Sequence, residues 1–446
     1  VSDTNERTYK VDLLARVEGE GRFWLRLDDR GQVSEACLSI FEAPRYFEAL
    51  LRGRSYEEVP DLVARICGIC PIAYQLGAAR ALERALGLDP PSPGIRALRR
   101  LIYCGEWIES HALHVFMLHA PDFLGFESAI AMASTHRALV ERGLRIKKVG
   151  NRIMEVLGGR AVHPVSPRIG GFSRTPTPEQ LHALRTELAQ ALDEADESVD
   201  WAATLAMPEH PQDYLFAALV DAHDYPLEWG DAIVLGDARG RPLTIAVDDW
   251  LEHVEEQQVP HSNALQARVR ASGQPYLVGP LARINHHAAK LHPRAQQALA
   301  RSGLRLPVDN PHRSILVRLV EIVHALAEAI DLVDGYRTRV EPAFVEPRTL
   351  APAVGIGCTE APRGLCWHRY ELDARGHVVD ARIVPPTSQN QARIERDLVG
   401  IAPHLLALPH DEATRMCERI IRAYDPCISC ATHFLRLEIE HPDGAR

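Results

Sequence analysis

The sequence predicts a mixed α+β fold, mostly helical, with a core of long helices and small β elements near the N- and C-terminal parts. Three observations carry this. Stretches of 20 to 30 residues with apolar positions at helical spacing lie at roughly 95–120, 131–158, 178–206 and 313–334. Shorter segments with alternating apolar residues and glycine-containing turns lie mainly toward the two ends. No internal repeat, low-complexity tract or linker interrupts the chain, so residues 1–446 read as one domain.

In chain order, "TYKVDLLARVEGEGRFWLRLDDRGQVSEACLSI" alternates about the turn "DDRGQ" and predicts short antiparallel strands. A helical stretch around "YFEALLRGRSYEEVPDLVARI" leads to the first cysteine pair. "DPPSPG" is a clear break, and long helices follow at roughly 95–120, 131–158 and 178–206. The third has a strong start: Thr177 as N-cap, Pro178 in first position and Gln180 closing a capping box. "DAIVLGDARGRPLTIAV" reads as two strands about a turn, and helix returns at about 313–334. "GLCWHRYELDARGHVVDARIVPP" is hairpin-like, and a helix at about 411–423 delivers the second cysteine pair.

Composition narrows the function. A chain of 446 residues, 46% apolar, can bury a large core. Its formal charge of −10 argues against a nucleic-acid partner, which favours a basic face. The polar opening "VSDTNERTYK" shows no secretory signal, and no apolar run reaches membrane-spanning length. "SILVRLVEIVHALAEAIDLV" carries Arg318, Glu321, Glu328 and Asp331 at helical spacing and reads as a packed helix. Nine cysteines in so long a chain make no disulfide scaffold, and a reducing cytoplasm is the economical setting.

Four of those cysteines form two pairs at opposite ends: Cys67 and Cys70 in "RICGIC", Cys427 and Cys430 in "DPCISCATH". Cys-x-x-Cys lets two sulfurs face one point, and two such pairs make a soft set suited to thiophilic metals. Closure entropy rises only slowly with loop length, so the wide separation does not forbid a shared site. Structural zinc, two independent redox dithiols, buried structural cysteines and a four-cysteine iron–sulfur cluster all stay open on spacing alone.

The residues around the pairs go further. "RICGIC" with "DPCISCATH" resembles the paired signature of the large subunit of nickel–iron hydrogenases. "RVEGEGR", "FEALLRGRS", "YLVGPLARIN", "APRGLCWH" and "IVPPTSQNQ" resemble internal family motifs in the expected order. The resemblance implies reversible oxidation of dihydrogen at a nickel–iron centre whose iron carries carbon monoxide and cyanide. Cys67 and Cys427 would be terminal nickel ligands, with Cys70 and Cys430 bridging the metals. Heterolytic splitting of dihydrogen needs a Lewis-acidic metal and a nearby base. A terminal thiolate such as Cys427 would serve as base and pass the proton to Glu18, while the Arg363 guanidinium would overhang the metals. Pro362, Pro386 and Thr387 would wall the iron's diatomic ligands. Asp425 would either buffer Arg363 or cap the cysteine turn. Glu48 and His433 match residues that bind magnesium or a similar ion. His111 and His114 in "IESHALH" read as core packing, since Ser110 stands where many relatives have Asp. Glu321 and His324 find no second carboxylate–histidine motif to make a diiron site.

Two departures matter. Tyr74 stands where many family members have histidine, and a phenol does not replace imidazole as a base near neutral pH. With "GEGR", "GPLAR" and "ATHFLRLEIE", it makes the chain resemble the cytoplasmic, multimeric branch linked to pyridine nucleotides. The tail 434–446 follows His433, where many relatives are trimmed by maturation proteins after nickel insertion. It reads either as a retained amphipathic edge or as a segment awaiting cleavage. The remaining five cysteines form no iron–sulfur run, and no G-x-G-x-x-G or flavin signature is present. The chain is therefore expected to dock a small iron–sulfur subunit and, beyond it, a flavin- and NAD(P)-binding module.

Overall fold

Alternation in "GRFWLRL" turns Phe23, Leu25 and Leu27 inward and Arg22, Trp24 and Arg26 to the other face, and this drives the first sheet. The computed structural model of the chain describes residues 7–28, 30–43, 45–88 and 91–432. Strands Arg7–Val11, Gly21–Leu27 and Val33–Ile40 form an antiparallel sheet in sequence order. The next stretch is less regular than expected. Helices Phe47–Leu51 and Val59–Val63 are separated by a turn through Gly53 (φ 78°) and the Ser55–Glu58 capping box.

The helices follow. Pro71–Ala85 starts directly behind Cys70, and Pro93–Ala112 starts at Ser92, whose hydroxyl accepts the Ile95 amide. The stretch expected as helix to 120 changes character: Leu113–His119 is a π-helix, followed by the short helix Ala120–Leu124. Ala129–Gly158 is helical, with Ser128 as cap and a kink at His136. Thr177 and Gln180 make the anticipated reciprocal capping box. The expected single helix 178–206 is instead two, Pro178–His182 and Arg185–Ala203, parted by a turn that keeps right-handed dihedrals at Leu184 (φ −79°, ψ −17°). Helix Ser314–Gly335 packs against both Pro93–Ala112 and Arg185–Ala203, and Pro93–Ala112 packs against Ala129–Gly158. No helix among the described residues is long and apolar enough to cross a membrane.

The β elements are not confined to the ends. A four-stranded sheet in the middle of the chain orders Leu277–Val278, Phe216–Val220, Ala232–Gly236 and Leu243–Ala246, with a parallel pair at the 277–216 edge. Hairpin Val254–Gln258/Leu265–Val269 lies beside it in sequence. Strands Ala353–Ala361, Gly364–Leu372 and Val378–Val384 form the C-terminal antiparallel sheet, which shares an apolar cluster around Trp250, Tyr276 and Trp367 with the middle sheet. Helices Pro386–Leu405 and His410–Ala423 complete the described chain.

A buried ion network ties these layers together. Arg283 on helix Pro280–His287 donates from Nε and Nη2 to Glu321 (2.8 Å each) and from Nη1 to Glu360 (2.9 Å). It also donates to the carbonyls of Ala361 and Pro362 (3.1 and 3.0 Å), and its guanidinium lies 4.2 Å from the Trp107 ring centroid. Breaking a buried pair from one side leaves uncompensated charge and costs about 3–5 kcal/mol. Arg283→Leu is therefore expected to destabilise the chain by about that amount, read as a lowered midpoint in denaturant unfolding.

Candidate metal centre

Each cysteine turn is shaped by its own backbone. After the 3₁₀ turn Ala64–Ile66, Cys67 is extended (φ −141°, ψ 137°), and the amides of Ile69 and Cys70 point at its sulfur (3.3 and 3.2 Å). Pro71 begins a helix without needing a donor, so Cys70 sits fixed at the helix start. Buried Glu106 accepts the Ile72 and Ala73 amides there (2.6 and 3.1 Å). At the other end, helix His410–Ala423 stops, Asp425 takes a left-handed conformation (φ 54°), and Cys427–Cys430 closes a tight turn.

The two turns meet. Cys67 Sγ lies 3.5 Å from Cys427 Sγ and 2.9 Å from Cys70 Sγ, and Cys70 Sγ lies 3.7 Å from Cys430 Sγ. All four sulfurs fall within 4.8 Å of one another, and all four residues are buried. No pair approaches the roughly 2.05 Å of a disulfide. Burial opposes charge on Cys67, yet the neighbouring thiols and Arg363 hold it well below its ordinary value. Burial and the three neighbouring thiols push Cys427 well up. Four ionised sulfurs so close together need a cation between them, and soft donors suit a thiophilic metal. The set fits a nickel–iron centre. Among the described residues no other group of three or more metal-ligating side chains converges in this way.

Charged groups complete the pocket. Arg363, wholly buried, donates to the Asp425 carbonyl (Nε, 2.8 Å) and carboxylate (Nη2, 3.0 Å). Of the two readings for Asp425, the structure gives the ion pair. Burial works against the Arg363 charge, but Asp425, Cys427, Cys70 and Cys67 together hold it above its ordinary value. Arg363 Nη1 has no partner among the described residues, leaving a donor for a group in the pocket. The Arg363 turn is held by contact between two glycines. A Cβ on Gly279 would lie 2.6 Å from the Arg363 carbonyl oxygen, and one on Gly364 (φ 129°) 2.7 Å from the Gly279 nitrogen.

Glu18 is half-buried and pairs by backbone with the second cysteine turn, its carbonyl accepting the Ile428 amide (3.0 Å). Its carboxylate accepts Cys427 Sγ (3.1 Å) and both the amide and hydroxyl of Ser429 (3.1 and 2.6 Å). Thr387, next to Pro386 at the start of helix Pro386–Leu405, accepts the Cys427 amide through Oγ1 (2.9 Å). The Pro362 carbonyl accepts from Arg283. Glu48 is buried and accepts the Ile383 amide (2.8 Å), whereas His433 and the tail 434–446 lie outside the described residues. Buried Tyr74 meets the edge of His368 (5.9 Å between centroids), whose imidazole contacts Cys366 and Tyr370. His111 pairs with Glu321 (2.9 Å), while His324 Nδ1 accepts the His292 amide (3.0 Å), so Glu321 and His324 build no metal site.

Two residues escape sequence reasoning. Ser429, between two ligands, reads there as a spacer. Arg45 donates to the carbonyls of Ile66 (2.7 Å) and Ser429, clasping both cysteine turns, and its own amide reaches the Thr432 carbonyl (2.7 Å). Arg45→Ala should leave a folded chain whose nickel dissociates about tenfold faster, since hydrogen bonds from a charged donor contribute about 1.5–3 kcal/mol. Metal release to a chelator checks this.

The pocket thus defines a class: a buried tetrathiolate metal centre flanked by a carboxylate acceptor and an arginine donor. Comparison with known proteins gives the family. The nickel-dependent hydrogenase family profile matches residues 45–142 and 269–433. Sulfhydrogenase 2 subunit alpha of Pyrococcus furiosus is 33% identical over 429 residues, 96% of this chain and 99% of that protein. The NAD-reducing hydrogenase HoxS subunit beta of Cupriavidus necator is 29% identical, covering 96% of this chain and 95% of its own. In structure, an NAD⁺-reducing [NiFe]-hydrogenase in the H2-reduced state superposes with a TM-score of 0.83 at 28% identity, covering 96% of this chain and 99% of its own. The Ni-Fe-Se hydrogenase of D. vulgaris Hildenborough has the same fold (TM-score 0.78, 23% identity, 96% and 100% covered). This chain belongs to the nickel-dependent hydrogenase family, as a large, catalytic subunit of the nickel–iron type.

Proposed function

We infer that this chain oxidises dihydrogen reversibly and passes the electrons through a partner iron–sulfur subunit to NAD(P) by way of a flavin-containing diaphorase. The observation that carries the reading is the convergence of Cys67, Cys70, Cys427 and Cys430 on one point that Arg363 and Glu18 also face. The NAD-reducing relative supports the acceptor, and cytoplasmic location follows from that acceptor. The non-catalytic respiratory coupling subunits that resemble this fold lack the four cysteines kept here.

Cys67 and Cys427 would hold nickel, with Cys70 and Cys430 shared between nickel and iron. When bound, the centre supplies the Lewis acidity that polarises dihydrogen and the redox states that store its electrons. The chain's residues handle the proton. Cys427 Sγ holds it first, 3.1 Å from Glu18 Oε2, so transfer needs no rearrangement of the backbone. Ser429 fixes that carboxylate with two donors. Arg363, kept charged by Asp425, presents Nη1 to the pocket. Pro362, Pro386 and Thr387 would border the iron's carbon monoxide and cyanide. Glu48 and His433 would hold magnesium. The Arg45–Thr432 backbone bond supports that pairing by drawing the two segments together.

The test is the matured complex. One nickel and one iron per chain, infrared bands of bound carbon monoxide and cyanide, and hydrogen-dependent NAD(P)⁺ reduction are expected. Zinc alone would refute the reading. The chain freed of its partners should not reduce NAD(P)⁺ at the complex's rate.

A further inference from the structure

The last carbonyls of a helix need partners from outside it. At the end of helix His410–Ala423, on the approach to Cys427, side chains from two other elements supply them. His114 Nε2 on the π-helix donates to the Arg422 carbonyl (2.7 Å). From helix Ser314–Gly335, Ser314 Oγ and Arg318 Nη1 both donate to the Ala423 carbonyl (2.8 and 3.0 Å). Two residues further on, Asp425 makes its left-handed turn (φ 54°), a strained conformation that persists only where the surroundings over-determine it.

Arg318 brings to this grip a charge that the fold leaves unpaired. It is wholly buried, and no carboxylate of the described residues lies within ion-pair distance of it. Burial lowers it only to about 10, so it stays a cation near neutral pH. Arg283 and Arg363 repel it, while Glu321 and Asp425 attract it. Glu321 is already engaged, accepting twice from Arg283 and once each from Tyr225 and His111. Asp425 is not: Arg363 takes its Oδ1, while its Oδ2 and Arg318 Nε have no partner among the described residues. An unpaired buried guanidinium is expensive, and an apolar side chain of similar shape in place of a buried charge is often neutral or stabilising. Packing does not demand the arginine, which borders a small cavity with Tyr214, Ser314 and Tyr424. Nor does the Ala423 carbonyl, which Ser314 already holds.

We propose that Arg318 is a positioning residue for the reaction: by gripping the Ala423 carbonyl and attracting the Asp425 carboxylate, it sets the direction in which Arg363 presents Nη1 to the metal pocket. The proposal rests on the hydrogenase reading above. Arg363 is held at two atoms, and both bonds go to Asp425, so any shift of that residue passes to the guanidinium. Arg318 acts at one remove, and no proton or electron passes through it.

Arg318→Met in the matured complex tests this. The variant is expected to keep its nickel and to unfold in urea at or above the wild-type midpoint, because an unpaired buried charge has gone. Misplacing a group by about 1 Å costs up to about 10²-fold, so hydrogen uptake should fall by about tenfold to a hundredfold. The infrared band of the iron's carbon monoxide should move, since it senses the field of the Arg363 guanidinium. In an Arg363→Lys background the same change should move that band no further and cost less than about threefold more uptake, because residues in one network are not additive. A residue that merely braced the helix end would leave the band in place and add its full cost to that of Arg363→Lys. Either result overturns the proposal. Should Arg318→Met fail to fold, Arg318→Lys reads the same claim with a shorter reach: a moved band that stays put in the Arg363→Lys background supports it, and a wild-type band refutes it. A wild-type complex with no carbon monoxide band sinks the hydrogenase reading itself.

Discussion

Cys430→Ser is expected to yield a folded chain that holds neither nickel nor iron and consumes no hydrogen above background. Serine differs from cysteine by one atom and sits in the same buried turn, so the fold loses only about 1–2 kcal/mol. The chemistry loses far more. A hydroxyl stays protonated where a metal-bound thiolate ionises, and its hard oxygen is a poor match for soft metals. Cys430 Sγ is 3.7 Å from Cys70 Sγ, the two sulfurs assigned to both metals at once, so its loss opens the set on the side where the metals would be joined. Elemental analysis beside dye-linked hydrogen uptake checks this. Full nickel with normal uptake would contradict the assignment of Cys430.

Glu18→Gln should retain nickel and lose about 10²–10⁴ in hydrogen uptake, the range general acid–base catalysis supplies. Glutamine is nearly isosteric, and its carbonyl oxygen still accepts from Ser429, so the turn around Cys427 keeps its shape. What disappears is the oxygen 3.1 Å from Cys427 Sγ that takes a proton and later gives it up. Glu18→Asp distinguishes position from chemistry. The shorter side chain keeps the acid but withdraws it from the sulfur, and uptake between that of wild type and Glu18→Gln is expected. Equal uptake in all three would remove Glu18 from the route.

The sequence made the site more legible than the fold around it. The cysteine pairs carry their neighbours with them, and Arg363 and Glu18 sit within contiguous motifs. The first sheet and the Thr177 capping box followed from alternation and side-chain chemistry. So did the hairpin Ala232–Gly236/Leu243–Ala246 of the middle sheet, whereas its other two strands did not, because "FAALV" and "LV" are buried on both faces and lack alternation, and their parallel pairing joins residues about 60 apart. Helix Pro386–Leu405 was hidden for a different reason. Its first turns, "TSQNQ", are polar yet buried, with Gln389 donating to Leu365, Asn390 bonded to Val278 and Gln391 donating to Leu38. The apolar stripe Ile394, Leu398, Ile401 and Leu405 begins only after these amides, which stitch strands together. Arg45 clasps the cysteine turns through backbone carbonyls, which leave no trace in residue identity.

The pairing of Cys67 with Cys427 has a consequence in time. The two are 360 residues apart in the chain. At about 5–20 residues per second, a ribosome that has released the first pair needs roughly 20–70 s to deliver the second. Throughout that interval half of the metal's cage is waiting, so cargo can be locked in only after the second pair has been delivered.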